Sequence, residues 1–289
     1  MGSLATRRVG AWTTALKLGR VSNLPTVWSN VVAAVALSGG ASPLLVLAIA
    51  AAVSLLYVAG MFLNDAFDRE IDARERPERP IPSGEVGGEL VFVVGFSLLV
   101  IGAVTLMTIE QEAGAYAMLL CGAIVLYNWR HKGNPVAPFV MGFCRALVYV
   151  VAAAAVAANP SDVLLPAAAL LAYVAGLTYT ARMENLDRVG SWWPLVVMAA
   201  PLVVALPHLQ LSVGAIISLV LLAGCSWRVG QLLLRRGAGD VGRAVGIMIA
   251  AIALVDALFS ATSGAPYAVY VCIACFLFTL VLQRYIPAS

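Results

Sequence analysis

Apolar runs recur along nearly the whole chain and are separated by short polar connections. Ten runs can be marked, each long enough or nearly long enough to cross a hydrocarbon core of about 30 Å. They cover residues 24–38, 43–64, 90–109, 113–128, 136–158, 162–181, 192–208, 211–234, 241–262 and 266–284. Because several runs are short and the seventh almost touches the eighth, the pattern predicts an all-α, polytopic membrane bundle of nine or ten transmembrane helices.

The composition agrees with a membrane protein. Of the 289 residues, 62% are hydrophobic and only 11% are charged, and the mean hydropathy is +0.93. These values exclude an ordinary soluble domain. All five cysteines fall within apolar runs, which favours core packing over disulfides or a zinc site. The formal net charge is +3, but no basic patch with interleaved aromatic residues predicts a nucleic-acid partner.

Lysine and arginine occur only on alternate connections between the apolar runs. They precede the first run and follow the second, fourth, sixth and eighth, whereas the odd-numbered connections have none. Under the positive-inside rule, the amino terminus and the even-numbered connections are predicted to face the cytoplasm from an inner membrane. Residues 1–20 are predicted to form a basic interfacial segment, ahead of one transmembrane domain over residues 21–289.

An acidic motif follows the second apolar run. If the helix continues through this stretch, Asp65, Asp68 and Asp72 share one face, because residues three, four and seven positions apart do so. Asn64 lies beside the same stripe. Three neighbouring carboxylates repel one another unless a cation is present, and Mg²⁺ prefers hard oxygen ligands. The motif therefore predicts a site for Mg²⁺ and a diphosphate; the alternative is a solvated helix end with local ion pairs to nearby arginines.

A proline-rich connection comes directly after the acidic motif. Its sequence, RPERPIPSGEV, spans residues 76–86 and contains three prolines and a glycine. Prolines fix the backbone and exclude a regular helix, so a stiff loop of defined shape is expected over the motif. Arg79 in this loop is suited to bind a phosphate, because a guanidinium group can bind phosphate through two hydrogen bonds.

The two stretches together resemble the UbiA superfamily of intramembrane prenyltransferases. The resemblance rests on NDxxDxxxD, which begins at Asn64, followed by RPxRPIPSG, which ends at Gly84. It implies an enzyme that binds an isoprenyl diphosphate through Mg²⁺, ionises it, and transfers the prenyl group to an acceptor in a cavity open to membrane lipids. It also implies metal binding by Asp65, Asp68 and Asp72, with Asn64, Asp65 and Asp68 as the catalytic group.

Further residues are assigned by the same resemblance. Arg130 and Lys132 are similar to a basic pair that the family carries after its fourth helix. A second acidic motif is expected after the sixth run, where this chain has Arg182, Glu184 and Asp187. Glu184 and Asp187 are predicted metal ligands, but one expected acidic position holds another residue. This form is most similar to the EboC-like branch of the superfamily.

Several polar residues fall inside or beside the apolar runs. Arg145 lies about nine residues into the fifth run, roughly 14 Å deep, where a guanidinium group needs a polar cavity or an acid such as Glu184 or Asp256. The predicted diphosphate-binding set is Arg79, Arg130, Lys132, Arg145 and Arg182. The predicted substrate-cavity residues are Asn23, Asn30, Tyr127 and Tyr179.

Prenyl transfer to an acceptor, with Mg²⁺ as cofactor, is the predicted function. A terpene cyclase of the UbiA type would use the same ionisation without an acceptor. A prenyl or lipid phosphate carrier would bind the diphosphate without turning it over, and the altered second acidic motif keeps that alternative open. The sequence predicts neither the acceptor, the donor chain length nor the oligomeric state.

Overall fold

The fold was analysed in a computed structural model of the chain. It describes residue 10 and residues 12–182, 192–235, 237 and 239–286. Within these residues all regular structure is helical. Eleven α-helices follow the predicted apolar runs: α1 Pro25–Leu37, α2 Pro43–Glu75, α3 Gly88–Ile109, α4 Gln111–Arg130, α5 Ala137–Ala155, α6 Ser161–Arg182, α7 Trp193–Val197, α8 Ala200–Ala205, α9 Val213–Arg235, α10 Asp240–Thr262 and α11 Pro266–Leu282.

The predicted all-α membrane bundle is confirmed. Six helices, α2, α3, α5, α6, α9 and α10, are long and apolar enough to cross a membrane. Shorter apolar helical stretches cover Val21–Leu37, Trp193–His208 and Pro266–Leu282. Helix α4 has 20 residues but carries polar side chains near both ends. The seventh predicted run is broken into α7, α8 and a 3₁₀ turn, Leu206–His208. The chain is therefore an integral membrane protein.

Helix α1 packs against helices that come much later in the chain. Sequence neighbours pack as antiparallel pairs, such as α2 with α3, α5 with α6 and α9 with α10, while α1 packs against α5, α10 and α11. Helix α10 is buried over most of its length and lies at the centre of the apolar core. Residues from both ends of the chain therefore meet beside α1, and polar groups there can contact one another across the bundle.

Helices α5 and α6 approach each other closely at Gly142. A methyl group added at Gly142 would lie 2.5 Å from the main-chain oxygen of Leu171. No side chain larger than hydrogen fits there without a shift of the backbone. Glycine at this position therefore allows the two helices to come together beneath the connection between α4 and α5.

Candidate active site

Helix α2 continues without interruption through the whole acidic motif, as predicted. It ends at Glu75, about three turns beyond the end of the second apolar run at residue 64. Asn64, Asp65, Asp68 and Asp72 are all buried, with exposed fractions of 8%, 7%, 5% and 1%. The spacing of three, four and seven residues thus produces a buried acidic stripe, because these positions share one helix face. A solvated acidic helix end does not match this burial.

Two arginines bind the stripe from outside α2. Arg79, in the proline-rich loop, places Nη1 2.7 Å from Asp72 Oδ2 and 3.3 Å from Asp65 Oδ1. Arg20 places Nη2 3.4 Å from the same Asp65 oxygen and donates to Asn64 Oδ1 at 3.3 Å. Arg20 has a left-handed backbone with φ of 42°, which is uncommon for a residue other than glycine and is often found at functional sites. The sequence prediction did not include Arg20 in the site.

The connection between α4 and α5 supplies partners for the third carboxylate. His131 Nε2 lies 3.3 Å and Lys132 Nζ lies 3.6 Å from Asp68 Oδ2. The His131 ring stacks on Tyr127, with ring centroids 5.0 Å apart. Lys132 thus lies beside the motif, and diphosphate binding by Lys132 stays a prediction. His131 was not among the predicted site residues, but the structure places it beside Asp68.

A pair of asparagines links the acidic stripe to α4. Asn64 Nδ2 donates to Asn128 Oδ1 at 3.2 Å, and Asn128 Nδ2 donates to the main-chain oxygen of Gly60 at 3.0 Å. Both side chains are buried. Buried amides are usually held in one orientation by such bonds. Asn128, which the sequence prediction missed, thus fixes the orientation of Asn64.

An apolar cavity begins next to these asparagines. It has a volume of about 100 Å³ and lies between α1, α2, α4 and α5. Its wall includes Gly60, Tyr127 and Asn128 near the motif, and further in it is lined by Val53, Leu56, Ile124 and Val148. An apolar cavity with polar groups at one end is the usual form of a small-molecule site. Here Asn128 in the cavity wall bonds to Asn64 of the acidic motif, so the motif lies next to the cavity.

The carboxylates have the chemistry to hold Mg²⁺. In each of the three, one oxygen makes all the contacts described above: Oδ1 of Asp65, Oδ2 of Asp68 and Oδ2 of Asp72. Asp72 Oδ1 is buried and has no hydrogen-bond partner, so a cation would satisfy it. Within the described part of the chain, no group of three His, Cys, Asp or Glu side chains lies close enough together to hold a metal ion. The donor set fits Mg²⁺, which takes one or two carboxylates with phosphate oxygens.

The predicted residues of α6, Arg182 and Tyr179, bond to the connection between α4 and α5. Arg182 donates to the main-chain oxygens of His131 and Asn134, both at 2.8 Å. Tyr179 donates to the main-chain oxygen of Pro135 at 2.7 Å. These bonds attach the end of α6 to the connection that carries His131. Diphosphate binding by Arg182 and a cavity role for Tyr179 stay predictions.

The remaining predicted residues that the structure describes have partners other than the acidic stripe. Arg130 is exposed and stacks over Trp129, with its guanidinium carbon 4.5 Å from the ring centroid. Asn23 accepts a hydrogen bond from Gln283 Nε2 at 3.2 Å. Arg145 lines the apolar cavity and bonds to Asn30, away from the acidic stripe. The predicted ligands of the second motif, Glu184 and Asp187, lie outside the described residues.

Comparison with known proteins identifies the family. The sequence profile of the UbiA prenyltransferase family matches residues 22–190. The chain is 41% identical over 86 residues to a digeranylgeranylglyceryl phosphate synthase from Methanothrix thermoacetophila, which covers 30% of this chain and 32% of that protein. It is 38% identical over 114 residues to the synthase of the same name from Ignicoccus hospitalis, covering 39% of this chain and 37% of that protein. The matches thus span about a third of these relatives.

Solved structures have the same fold. The apo structure of a UbiA homologue from Aeropyrum pernix K1 aligns with a TM-score of 0.64 at 20% identity, covering 81% of this chain and 96% of that one. A structure described as digeranylgeranylglyceryl phosphate synthase in membranes aligns with a TM-score of 0.56 at 21% identity, covering 87% and 98%. Because the family profile matches more than half of the sequence, the chain belongs to the UbiA prenyltransferase family.

Proposed function

We propose that this protein is a Mg²⁺-dependent intramembrane prenyltransferase that ionises an isoprenyl diphosphate and transfers the prenyl group to an acceptor. The observation that carries the proposal is the buried acidic stripe of Asp65, Asp68 and Asp72, which Asn64 and Asn128 connect to an apolar cavity. A diphosphate and its prenyl chain require these two environments side by side. Membership of the UbiA family supports the same activity.

The basic residues around the stripe would bind the diphosphate. Arg79 and Lys132 reach the carboxylates from two different connections, and both can turn to phosphate oxygens when a metal ion takes the carboxylates. Bound Mg²⁺, held by Asp65, Asp68 and Asp72 and by Glu184 or Asp187, would neutralise charge on the diphosphate. Asn64, whose orientation is fixed by Asn128, would hold a phosphate oxygen or a water molecule.

The reaction breaks the bond between the allylic carbon and the diphosphate oxygen. The electron pair leaves with the diphosphate, where Arg79 and Lys132 stabilise the developing negative charge. The allylic carbon then forms a bond to the acceptor nucleophile, which releases a proton. The apolar wall contributed by Val53, Leu56 and Ile124 excludes the water that would otherwise capture the carbocation.

The substrates to test first are suggested by the relatives. Their name, digeranylgeranylglyceryl phosphate synthase, makes geranylgeranyl diphosphate the first donor and a glyceryl phosphate lipid the first acceptor. A polar cleft of about 240 Å³ beside the stripe, lined by Lys17, Arg20, Asp65 and Arg79, gives a charged head group a route to the motif.

The proposal includes an orientation in the membrane. Arg20, Arg79, Lys132 and Arg182 all lie at the motif end of the bundle. Under the positive-inside rule this end faces the cytoplasm of an inner membrane, together with the amino terminus. To test this orientation, a cysteine is introduced at the exposed Arg74 and treated with an impermeant thiol reagent in intact and in opened cells. A cytoplasmic motif end predicts labelling only in opened cells.

Release of pyrophosphate is the decisive measurement. The purified protein in detergent is given geranyl, farnesyl or geranylgeranyl diphosphate, with or without Mg²⁺, and a lipid extract as acceptor. We expect release that requires Mg²⁺ and falls by at least about 100-fold in Asp65→Ala and Asp68→Ala, because each substitution removes a predicted metal ligand. Asp162→Ala is the matched control, since Asp162 is exposed at the start of α6. Wild-type turnover in Asp68→Ala would refute the proposal.

A non-catalytic carrier is the second candidate. The observation in its favour is that each carboxylate already has a cationic neighbour in the described structure, so the stripe is stable without metal. Tight binding of a prenyl diphosphate with no pyrophosphate release, in the presence of Mg²⁺ and the full range of donors, would support the carrier instead.

A further inference from the structure

A second apolar cavity lies between α6, α7, α8, α9 and α10. It has a volume of about 170 Å³. Its wall includes Leu202 of α8, Leu222 and Val229 of α9, and Met248 and Val255 of α10. The residues described in this wall all differ from those that line the cavity between α1, α2, α4 and α5. The proposed prenyl transfer therefore makes no use of the second cavity.

The second cavity opens between α8 and α9. Helix α9 packs mainly against α10 and α11, whereas α8 packs mainly against α6 and α10. Two wall residues on the two sides of this opening, Ala199 before α8 and Ser226 on α9, are exposed. The outer surface of a membrane bundle faces lipid, so a chain of a membrane lipid can enter the cavity from the side.

The depth of the second cavity is close to that of one bilayer leaflet. Its wall runs from Leu222 to Gly230 on α9 and from Ile247 to Val255 on α10. Each stretch rises by about 12 Å, at 1.5 Å per residue. A hydrocarbon core is about 30 Å thick, so one leaflet contributes about 15 Å. The cavity therefore has a length that suits one acyl chain lying along the helices.

A charged cluster lies on the connection between α9 and α10, next to the second cavity. Asp240 has no exposed surface. It accepts hydrogen bonds from Arg235 Nε and Nη2 at 2.7 and 2.6 Å and from the main-chain N–H of Gly237 at 2.9 Å. Arg243 Nη2 lies 3.4 Å from the same carboxylate. Asp240 precedes Ile247 by seven residues on α10, so both share one helix face, about 10 Å apart.

The charged cluster has an excess of positive charge at the surface of the protein. Two arginines, Arg235 and Arg243, face the single carboxylate of Asp240, and their side chains are 57% and 59% exposed. Each guanidinium group has five N–H groups. A guanidinium group binds a phosphate through charge-assisted hydrogen bonds. The cluster therefore suits an anion that lies at the end of the apolar cavity.

The charged cluster lies at the motif end of the bundle. Gln283 Nε2 donates to Asn23 Oδ1 and to the main-chain oxygen of Gly246, both at 3.2 Å. Asn23 follows Arg20, which pairs with the acidic stripe, by three residues. Gly246 directly precedes Ile247 in the wall of the second cavity. The start of α10 therefore reaches the same membrane surface as the acidic stripe.

We propose that the second cavity is a binding site for an anionic phospholipid of the leaflet at the motif end. One acyl chain lies between α8 and α9 in the cavity, and the phosphate binds at Arg235 and Arg243. The chain gains dispersion contacts with the apolar wall, and the excess positive charge favours an anionic head group over a zwitterionic one. The site is separate from the proposed active site and serves a structural lipid rather than a substrate.

Binding of two lipids with the same chains tests the head-group preference. The purified protein in a non-ionic detergent is titrated with dioleoylphosphatidylglycerol or dioleoylphosphatidylcholine, and bound lipid is counted by native mass spectrometry. Only the first lipid carries a net negative charge. We expect it to bind roughly fivefold or more tightly, because one excess arginine charge at a membrane surface gives an attraction of that order. Equal binding would mean that lipid covers this surface without selection, and would overturn the proposal.

Variants of the charged cluster test where the head group binds. Arg243→Gln should remove the preference, because Arg235 then balances Asp240 and the buried carboxylate keeps its partner. Arg243→Lys keeps the charge and should keep the preference, which separates loss of charge from loss of folding. Arg74→Gln is the matched control, since Arg74 is an exposed arginine near the end of α2, at the same end of the bundle. A preference that survives in Arg243→Gln, or is lost equally in Arg74→Gln, would overturn the proposal.

A photoreactive lipid tests where the acyl chain lies. Phosphatidylglycerol with a diazirine in one acyl chain is bound and illuminated, and the crosslinked peptides are identified by mass spectrometry. We expect crosslinks on α9 and α10, and Ser226→Trp and Ala199→Trp should each remove most of them by filling the opening from opposite sides. Val220→Trp is the matched control, because Val220 is exposed on α9 outside the cavity wall. Equal crosslinking in Ser226→Trp and Val220→Trp would show that the chain does not enter the cavity.

The lipid site and the proposed prenyl transfer can fail separately. Lipid binding is measured without Mg²⁺ or prenyl diphosphate, whereas pyrophosphate release requires both. Release without a lipid preference would leave the transferase and remove the lipid site. A lipid preference with crosslinks on α9 and α10 would support the site whatever the protein does with prenyl diphosphates.

Discussion

Loss of Arg79 should destabilise the protein in the absence of metal. Arg79 links the proline-rich loop to α2 through Asp72 and Asp65, and the side chains of Arg79 and Asp72 are only 17% and 2% exposed. Asp72 Oδ1 already has no partner, so Arg79→Met would leave the whole carboxylate of Asp72 unpaired. Removing one partner of a buried ion pair reduces the free energy of unfolding by about 3–5 kcal/mol. At about 2–4 °C per kcal/mol, the unfolding midpoint should fall by roughly 10 °C.

Thermal unfolding in detergent, with a chelator present, measures this effect. Arg74→Met is the control, because Arg74 is an exposed arginine on α2, the helix that carries Asp65 and Asp72; it should shift the midpoint by no more than about 1 °C. The double variant Asp72→Asn with Arg79→Met should recover part of the loss, since it removes both charges of the pair. If Arg79→Met and Arg74→Met unfold at the same temperature, the ion pair does not stabilise the fold and the reasoning is wrong.

Three other outcomes follow from the structure. Gly142→Ala should lower the unfolding midpoint by several degrees, because its methyl group would meet the Leu171 oxygen at 2.5 Å, whereas Gly122→Ala, with nothing within 4 Å, should not. Arg182→Gln should increase proteolysis of the connection between α4 and α5 and raise the KM for the prenyl diphosphate, while Arg130→Gln should leave proteolysis unchanged. Equal proteolysis of the two variants would argue that Arg182 does not hold this connection in place. Chelation of divalent cations should stop pyrophosphate release without unfolding the protein, and restored release on adding Mg²⁺ checks that.

The fold and the core of the site could be predicted because they depend on local patterns. The length of the apolar runs determines the helices, and the spacing of Asp65, Asp68 and Asp72 determines one face of α2 whatever the rest of the bundle does. The position of Arg79 could be predicted for a similar reason. It follows Asp72 by seven residues in a loop whose prolines allow few conformations.

The partners that the prediction missed depend on how distant helices align. Arg20 and Asn128 are separated from their partners in the stripe by 44 and 64 residues. A change of one residue in the register of α4 against α2 would remove the contact of Asn128, and no local pattern fixes that register. His131 could not be assigned to the site from its own position, because a single histidine at a helix end is usually interfacial. Its neighbour Tyr127, four positions earlier on the same helix face, was the signal that could have pointed to it.

For Arg145, the need for polar surroundings could be predicted from the sequence, but its bonding partner could not. The sequence correctly indicated that a guanidinium at that depth needs polar surroundings, and Asp256 was one of the two acids considered. The intervening Asn30, which bonds to both Arg145 and Asp256, could not be predicted, since it comes from α1 and reaches the pair only because α1 packs between α5 and α10. Through Asn30, α1 thus fixes the position of Arg145 in the cavity wall.

The charges around the acidic stripe also bear on how the proposed metal ion and diphosphate would bind. Three carboxylates, Asp65, Asp68 and Asp72, face three permanent cations, Arg20, Arg79 and Lys132, so the resting motif is close to electrically neutral. A divalent ion arriving alone would leave two positive charges uncompensated in a buried setting, and a diphosphate arriving alone would leave an excess of negative charge. The two together nearly cancel. Under the proposed function, the motif would therefore favour joint uptake of metal and diphosphate, and its affinity for either one should depend strongly on the presence of the other.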